Sequence, residues 1–193
     1  PSVLVVLVAI GGVFGSVDVA TVALADEAGQ RAAAGAILAA YAAGSMASAL
    51  VLGSRSGSAS DAGLPRQLLV ASVALLVVTL PLLLRPGLLA LGLLVLLAGL
   101  AVSPVLITGF SLVEALVLPA QITEGLSWAI SAIGLGVAAS AAGTGWLVDR
   151  AGPQAGFLVT LGSAVLVAVV ALAGHGRVRR GVHARHDPSS DNV

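Results

Sequence analysis

The chain has no cysteine and no lysine, only 3% aromatic residues, and only 9% charged residues among its 193 positions. Each scarcity excludes a class of function. Without cysteine there is neither a disulfide framework nor a thiolate metal site. A formal net charge of zero and so few aromatics leave neither a basic surface nor a stacking platform for nucleic acid. Soluble domains carry about 25% charged residues, so a chain with this little charge is not an ordinary soluble domain. The three histidines, His175, His183 and His186, all follow the last apolar run, so no imidazole lies in the apolar body to activate a serine. They are read as part of a basic tail near anionic lipid rather than as a metal site. No phosphate-binding loop, zinc motif or dinucleotide fingerprint is found, and no enzyme activity, metal or cofactor is expected.

What the chain has is apolar length. Hydrophobic residues make up 58% of it and the mean hydropathy is +1.08, values of a membrane protein. Apolar runs bounded by charge, proline or glycine predict six spanning helices, at about 3–24, 32–53, 67–84, 88–109, 126–148 and 154–174. Pro104 is expected to end or kink the fourth, because it removes a backbone hydrogen bond. Phe110 to Gln121 is then expected to lie along the membrane interface. Residues 1–175 form the predicted bundle, and 176–193 a polar, unstructured cytoplasmic tail. Pro1 opens straight into an apolar run that is too long for a signal peptide and lacks a basic flank, so the chain is expected to be a fragment of a longer one. Arginine without lysine in an Ala/Val/Leu/Gly-rich chain associates it with a GC-rich bacterial genome.

Orientation is read from the arginines. With six helices both ends share one side. That side holds Arg55, Arg66, Arg177, Arg179, Arg180 and Arg185, and the other holds Arg31, Arg85 and Arg150. By the positive-inside rule both ends are expected in the cytoplasm of a cell-membrane protein.

The fifth run carries an unusual pattern. Between Glu124 and Asp149 lie 24 uncharged residues, interrupted by Gly134, Gly136, Gly143 and Gly145. Small residues let helix backbones approach closely, so these glycines are expected at helix–helix contacts. Gly44 lies on a similar small-residue face of the second helix. Trp128 and Trp146, near opposite ends of the fifth helix, are placed as interfacial anchors. An internal repeat is also read. Phe14-Gly15-Ser16-Val17-Asp18 matches Phe110-Ser111-Leu112-Val113-Glu114 after 96 residues, and Ser45, Ala47, Leu52 and Arg55 match Ser140, Ala142, Leu147 and Arg150 after 95. A three-helix unit used twice has to be inverted the second time, because three is odd.

Asp18 is the principal candidate for chemistry. A carboxylate inside a spanning segment costs about 2.5–3.5 kcal/mol at the bilayer centre, so it belongs against a bundle interior or wet cavity, where it can load and release a proton. Tyr41 and Ser45, four residues apart, can offer hydroxyls to the same cavity. Glu114, near the membrane surface, is a candidate inner gate or pairing partner, or a solvated interfacial acid. Glu124 is expected to cap the fifth helix. Asp149 and Arg150, in Gly145-x-x-x-Asp149-Arg150-x-Gly152, are expected to brace neighbouring helix ends.

In order and spacing these residues resemble the C-terminal six-helix half of a major facilitator superfamily transporter. The resemblance rests on Gly15-x-x-Asp18, Asp26-Glu27-x-Gly29 with Ala34-Gly35, and Gly44-Ser45. The run Glu114…Pro119…Thr123-Glu124-Gly125…Trp128 and the exit Gly145…Asp149…Gly152 continue it, so that it covers Val3 to Gly174. It implies an all-α fold of two inverted three-helix repeats and an N-terminal six-helix partner half. It also implies alternating access coupled to protons and export of a small-molecule substrate, with Asp18 as the coupling or substrate-contact acid. The family's cytoplasmic signature loop should follow the second helix. Here that loop reads Gly53-Ser54-Arg55-Ser56-Gly57, without the expected Asp, and the better match lies after the fifth helix. Two other readings remain open: a complete six-helix protein forming a homo-oligomeric channel or scaffold, and a sensory or assembly subunit.

Overall fold

The computed structural model describes residues 2–55, 63–85 and 87–186. The outer residues of the predicted tail, 187–193, and most of the polar loop after the second helix therefore lie outside the described residues. Six long helices follow one another: α1 (Ser2–Glu27), α2 (Arg31–Arg55), α3 (Leu64–Thr79, continued as a tighter 3-10 turn over Leu80–Leu84), α4 (Leu88–Leu116), α5 (Ile122–Ala151) and α6 (Phe157–His186). All six are long and apolar enough to cross a bilayer, which makes this a multi-pass membrane chain.

Two boundaries differ from the sequence expectation. Pro104 lies inside α4, which continues to Leu116, so Phe110–Leu116 extends the fourth helix instead of starting a separate segment. Proline is tolerated in a spanning helix where neighbouring helices and hydroxyls support the interrupted ladder. The residue before it, Ser103, hydrogen-bonds across to α2. The second difference is at the end of the chain: α6 runs past Gly174 to His186, so residues 176–186, expected to be unstructured, are helical. Extending an existing helix adds a hydrogen bond per residue without a new nucleus, which favours this continuation.

The turns show why the helices begin and end where they do. Gly29, at φ 69°, reverses the chain between α1 and α2. There Arg31 pairs with Asp26, its Nη2 donating to Oδ2 at 3.0 Å. Gly152, at φ 86°, turns α5 into a short 3-10 segment opened by Pro153. From that segment Gln154 donates to the carbonyl of Leu82 at 2.6 Å, tying the α5–α6 turn to the end of α3.

The most extensive helix contacts are α1 with α5 and α2 with α4, followed by α1 with α6, α3 with α4, and α3 with α6. α1 is the most buried helix, while α2 and α5 are the least buried. The two leading pairs are held by glycines pressed against carbonyl oxygens. A Cβ on Gly11 or Gly15 of α1 would collide with the carbonyl of Ile133 or Val137 of α5, and one on Gly136 with that of Val8. Likewise a Cβ on Gly44 of α2 would strike the carbonyl of Leu96, and one on Gly99 of α4 that of Tyr41. Bare Cα positions let backbones meet at this range, which is how spanning helices associate when lipid supplies no hydrophobic drive between them. The third contact within α1's surroundings is polar: Thr160 of α6 donates to Ser16 at 2.9 Å, and Ser16 donates to the Gly12 carbonyl at 2.7 Å.

Candidate functional site

The polar residues singled out in the first two helices converge on one cleft. Asp18, Tyr41 and Ser45 line a cavity of about 510 Å³ between α1, α2 and α4, together with Phe14, Met46 and Ser103. α1 brings Phe14 and Asp18 to it one turn apart. α2 brings Tyr41 and Ser45, also one turn apart, which is the spacing that places two side chains on one helical face. α4 approaches closely enough to supply Ser103 because Gly99, one turn earlier, lies against the Tyr41 backbone.

The cleft has one charge. The Asp18 side chain is exposed and lines it, and no cation is among the described residues lining the cleft. Tyr41 is only 5% exposed, with its ring edge-on to Phe14 at 5.7 Å between centroids. Its hydroxyl is buried and has no hydrogen-bond partner among the described residues. A buried phenol left unpaired costs about 1–3 kcal/mol, a cost that pairing with a water or a ligand group would recover. Ser45 and Ser103 form the polar edge: their hydroxyls are 2.7 Å apart, and Ser103 also donates to the Ser45 carbonyl at 2.7 Å. The rest of the lining, including Leu38, Met46, Leu106 and Ile107, is apolar. The arrangement can therefore hold a small, largely apolar group with a positive charge or a proton at Asp18 and hydrogen-bonding capacity toward Tyr41 and Ser45.

The remaining candidates are elsewhere. Glu114 is exposed near the end of α4, two turns past Leu106, and does not line the cleft. Asp149 and Arg150 are exposed at the far end of α5. Arg150 forms no ion pair among the described residues, and its guanidinium carbon lies 4.1 Å from the ring centroid of Trp146, one turn back on the same helix. The contact the structure shows for Arg150 is thus a local cation–π one. Among the glycines, Gly44 and Gly136 have neighbouring backbone against them, whereas a Cβ at Gly134, Gly143 or Gly145 would meet no atom of this chain. For those three, packing within this chain is not what the structure provides. A group of metal-ligating side chains is not present among the described residues.

Sequence reasoning missed Ser103, Phe14 and Met46, and the packing glycines Gly11 and Gly99. For Ser103 a signal was present: it is the single polar side chain between Leu88 and Ile107. The glycines carried no such signal, since the chain has 24 of them. Comparison of the chain with protein-family models, with curated proteins and with solved structures finds no match.

Proposed function

We propose that this chain is one six-helix half of a secondary transporter of the major facilitator type, moving a small molecule across the cell membrane by alternating access. Transport is proton-coupled, in the export direction, with Asp18 as the coupling and substrate-contact acid. The observation that carries this reading is the cleft: a lone carboxylate, an unpaired buried phenol and a serine pair, assembled from three spanning helices. An ionisable group inside a membrane bundle is a functional candidate by default. Because Asp18 is the one charge there, a proton and a cationic substrate with an apolar body compete for it, and such competition is what couples a gradient to transport.

The packing supports the two-repeat architecture that this reading needs. Exchanging α1 with α4, α2 with α5 and α3 with α6 maps the set of major helix contacts onto itself. The glycine contacts follow residue by residue. Gly11 against Ile133 recurs as Gly99 against Tyr41, and Gly136 against Val8 recurs as Gly44 against Leu96, at constant intervals of 88 residues for α1 to α4 and 92 for α2 to α5. In this reading the repeat runs at these intervals, where similarity of the sequence alone suggested 96 and 95. Two three-helix units in inverted orientation, with a site near their junction, are the common plan of secondary transporters.

The least buried helices, α2 and α5, each leave a face of small residues uncovered: Gly35, Ala39, Ala43 and Ala47 on one, Gly134, Ala138 and Ala142 on the other. Small residues on a spanning helix fit a closely packed partner helix better than lipid. The N-terminal half of the same transporter is the partner in this reading. The same faces equally fit a second copy of the chain, which is the observation favouring a homo-oligomeric channel or scaffold.

The test is substrate and proton flux in sealed vesicles containing the parent protein. Asp18→Asn is expected to abolish gradient-driven transport while membrane insertion is unchanged. Undiminished proton-coupled flux in that variant removes Asp18 from the mechanism. Cysteine pairs between α2 or α5 of two copies that cross-link in the membrane, together with ion conductance, establish the homo-oligomer instead.

A further inference from the structure

A second recess lies away from the cleft, on the outside of the bundle. It is a groove of about 740 Å³ between α3 and α4, closed at one end by Leu52 of α2. From α3 it takes Arg66, Val70, Ala74 and Val78, which repeat every fourth residue and so form one continuous strip of that helix. From α4 it takes Leu97, Leu100, Ala101 and Pro104. Alanines at 71, 74 and 101 leave the groove open, because a side chain ending at Cβ does not fill the space between two helices.

The groove has a polar end and an apolar length. Arg66 and Gln67, at the start of α3, are its polar side chains, and everything beyond them is hydrocarbon. Arg66 is exposed and forms no ion pair among the described residues. From Arg66 to Val78 the helix rises about 18 Å, close to the ~15 Å depth of one leaflet of a 30 Å hydrocarbon core.

We propose that this groove holds one acyl chain of an anionic phospholipid, with the headgroup phosphate on Arg66 and the chain lying along α3 and α4 toward mid-membrane. Three features select that occupant. The length is close to one leaflet, the lining is apolar, and the single charge among the described lining residues, Arg66, is positive and stands at the end where a headgroup lies. A zwitterionic lipid offers the same chain but brings its own cation to Arg66, so the site discriminates by headgroup charge. Occupancy also covers the exposed side chains of Val70 and Leu97, which the chain by itself leaves bare.

The experiment counts lipids retained by the protein after purification in mild detergent and incubation with mixed micelles of phosphatidylglycerol and phosphatidylethanolamine, read by native mass spectrometry. One phosphatidylglycerol per chain is expected to persist in preference to phosphatidylethanolamine. Arg66→Gln is expected to lower that retention by about fivefold, the factor that ~1 kcal/mol per basic residue at an anionic surface gives. Arg66→Lys keeps most of it. Ala74→Phe, at an exposed position, fills the groove and reduces retention of both lipids. Equal retention of the two lipids by the unsubstituted protein, or retention unchanged in Arg66→Gln, overturns the proposal and leaves only a general lipid annulus. Should Ala74→Phe disturb folding, as checked by its helical circular dichroism, Arg66→Gln against Arg66→Lys decides alone.

Discussion

The hydroxyl of Ser103 in α4 donates to the backbone carbonyl of Ser45 in α2 at 2.7 Å and sits 2.7 Å from the Ser45 hydroxyl. The contact joins the two helices at the residue before Pro104, where the helical ladder loses a donor. It also aligns the polar edge of the cleft with Asp18 and Tyr41.

Replacing Ser103 by alanine removes both hydrogen bonds. In a membrane protein such interhelical bonds are worth about 0.6 kcal/mol on average and up to ~1.7. Ser103→Ala is therefore expected to lower stability by that range in detergent unfolding, and to reduce substrate affinity through the displaced Ser45. A variant with unchanged stability and unchanged affinity contradicts a role for the pair.

Tyr41→Phe separates the phenol from its ring. The edge-on contact with Phe14 survives, and the lost hydroxyl has no partner to forfeit. Stability is expected to stay the same or rise, by up to about 1–3 kcal/mol, because a buried unpaired polar atom is removed. Transport that nevertheless falls identifies the hydroxyl as a contact to ligand or water. Flux identical to that of the unsubstituted protein excludes it.

Two glycines of α5 are expected to respond oppositely to alanine. At Gly136 the added Cβ meets the Val8 carbonyl, a backbone atom that cannot swing aside. Overpacking of this kind costs roughly 1–3 kcal/mol. At Gly134 it meets nothing in this chain, and the gain in helix propensity is up to about 1 kcal/mol. Thermal unfolding of the isolated chain should show Gly136→Ala destabilised and Gly134→Ala neutral or stabilised. If Gly134→Ala weakens the assembled protein only, the uncovered face of α5 has a partner.

Arg150→Gln breaks the stacking on Trp146. An exposed cation–π contact is worth about 0.5–1 kcal/mol, so the loss in stability should stay below that. Tryptophan fluorescence of Trp146 reports the change directly. A loss of several kcal/mol would point instead to Arg150 bracing a neighbouring helix end.

Several features were legible without coordinates. Run length and the scarcity of charge determine six spanning helices, because a bilayer accepts only segments that satisfy their own backbone and are apolar for about 20 residues. The isolation of Asp18 in its run marks it as the candidate for chemistry for the same reason. Tyr41 and Ser45 were legible as a pair because helical spacing places residues four apart on one face.

Other features were not legible, and the reasons are physical. Which glycines carry close contacts depends on which helices meet, and composition is the same for Gly134, which touches nothing, as for Gly136, which touches backbone. Equivalent glycine contacts recur across the bundle at intervals of 88 and 92 residues, a pattern of helix packing that matching letters in the sequence do not display. Pro104 shows the reverse limit: a local rule predicts a break, and packing against α2 lets the helix continue. The sequence by itself thus determined the number of spans and the acid within them. Only the tertiary structure decided that Asp18, Tyr41, Ser45 and Ser103 share one cleft, because that depends on α4 approaching α2 through a bare Cα at Gly99.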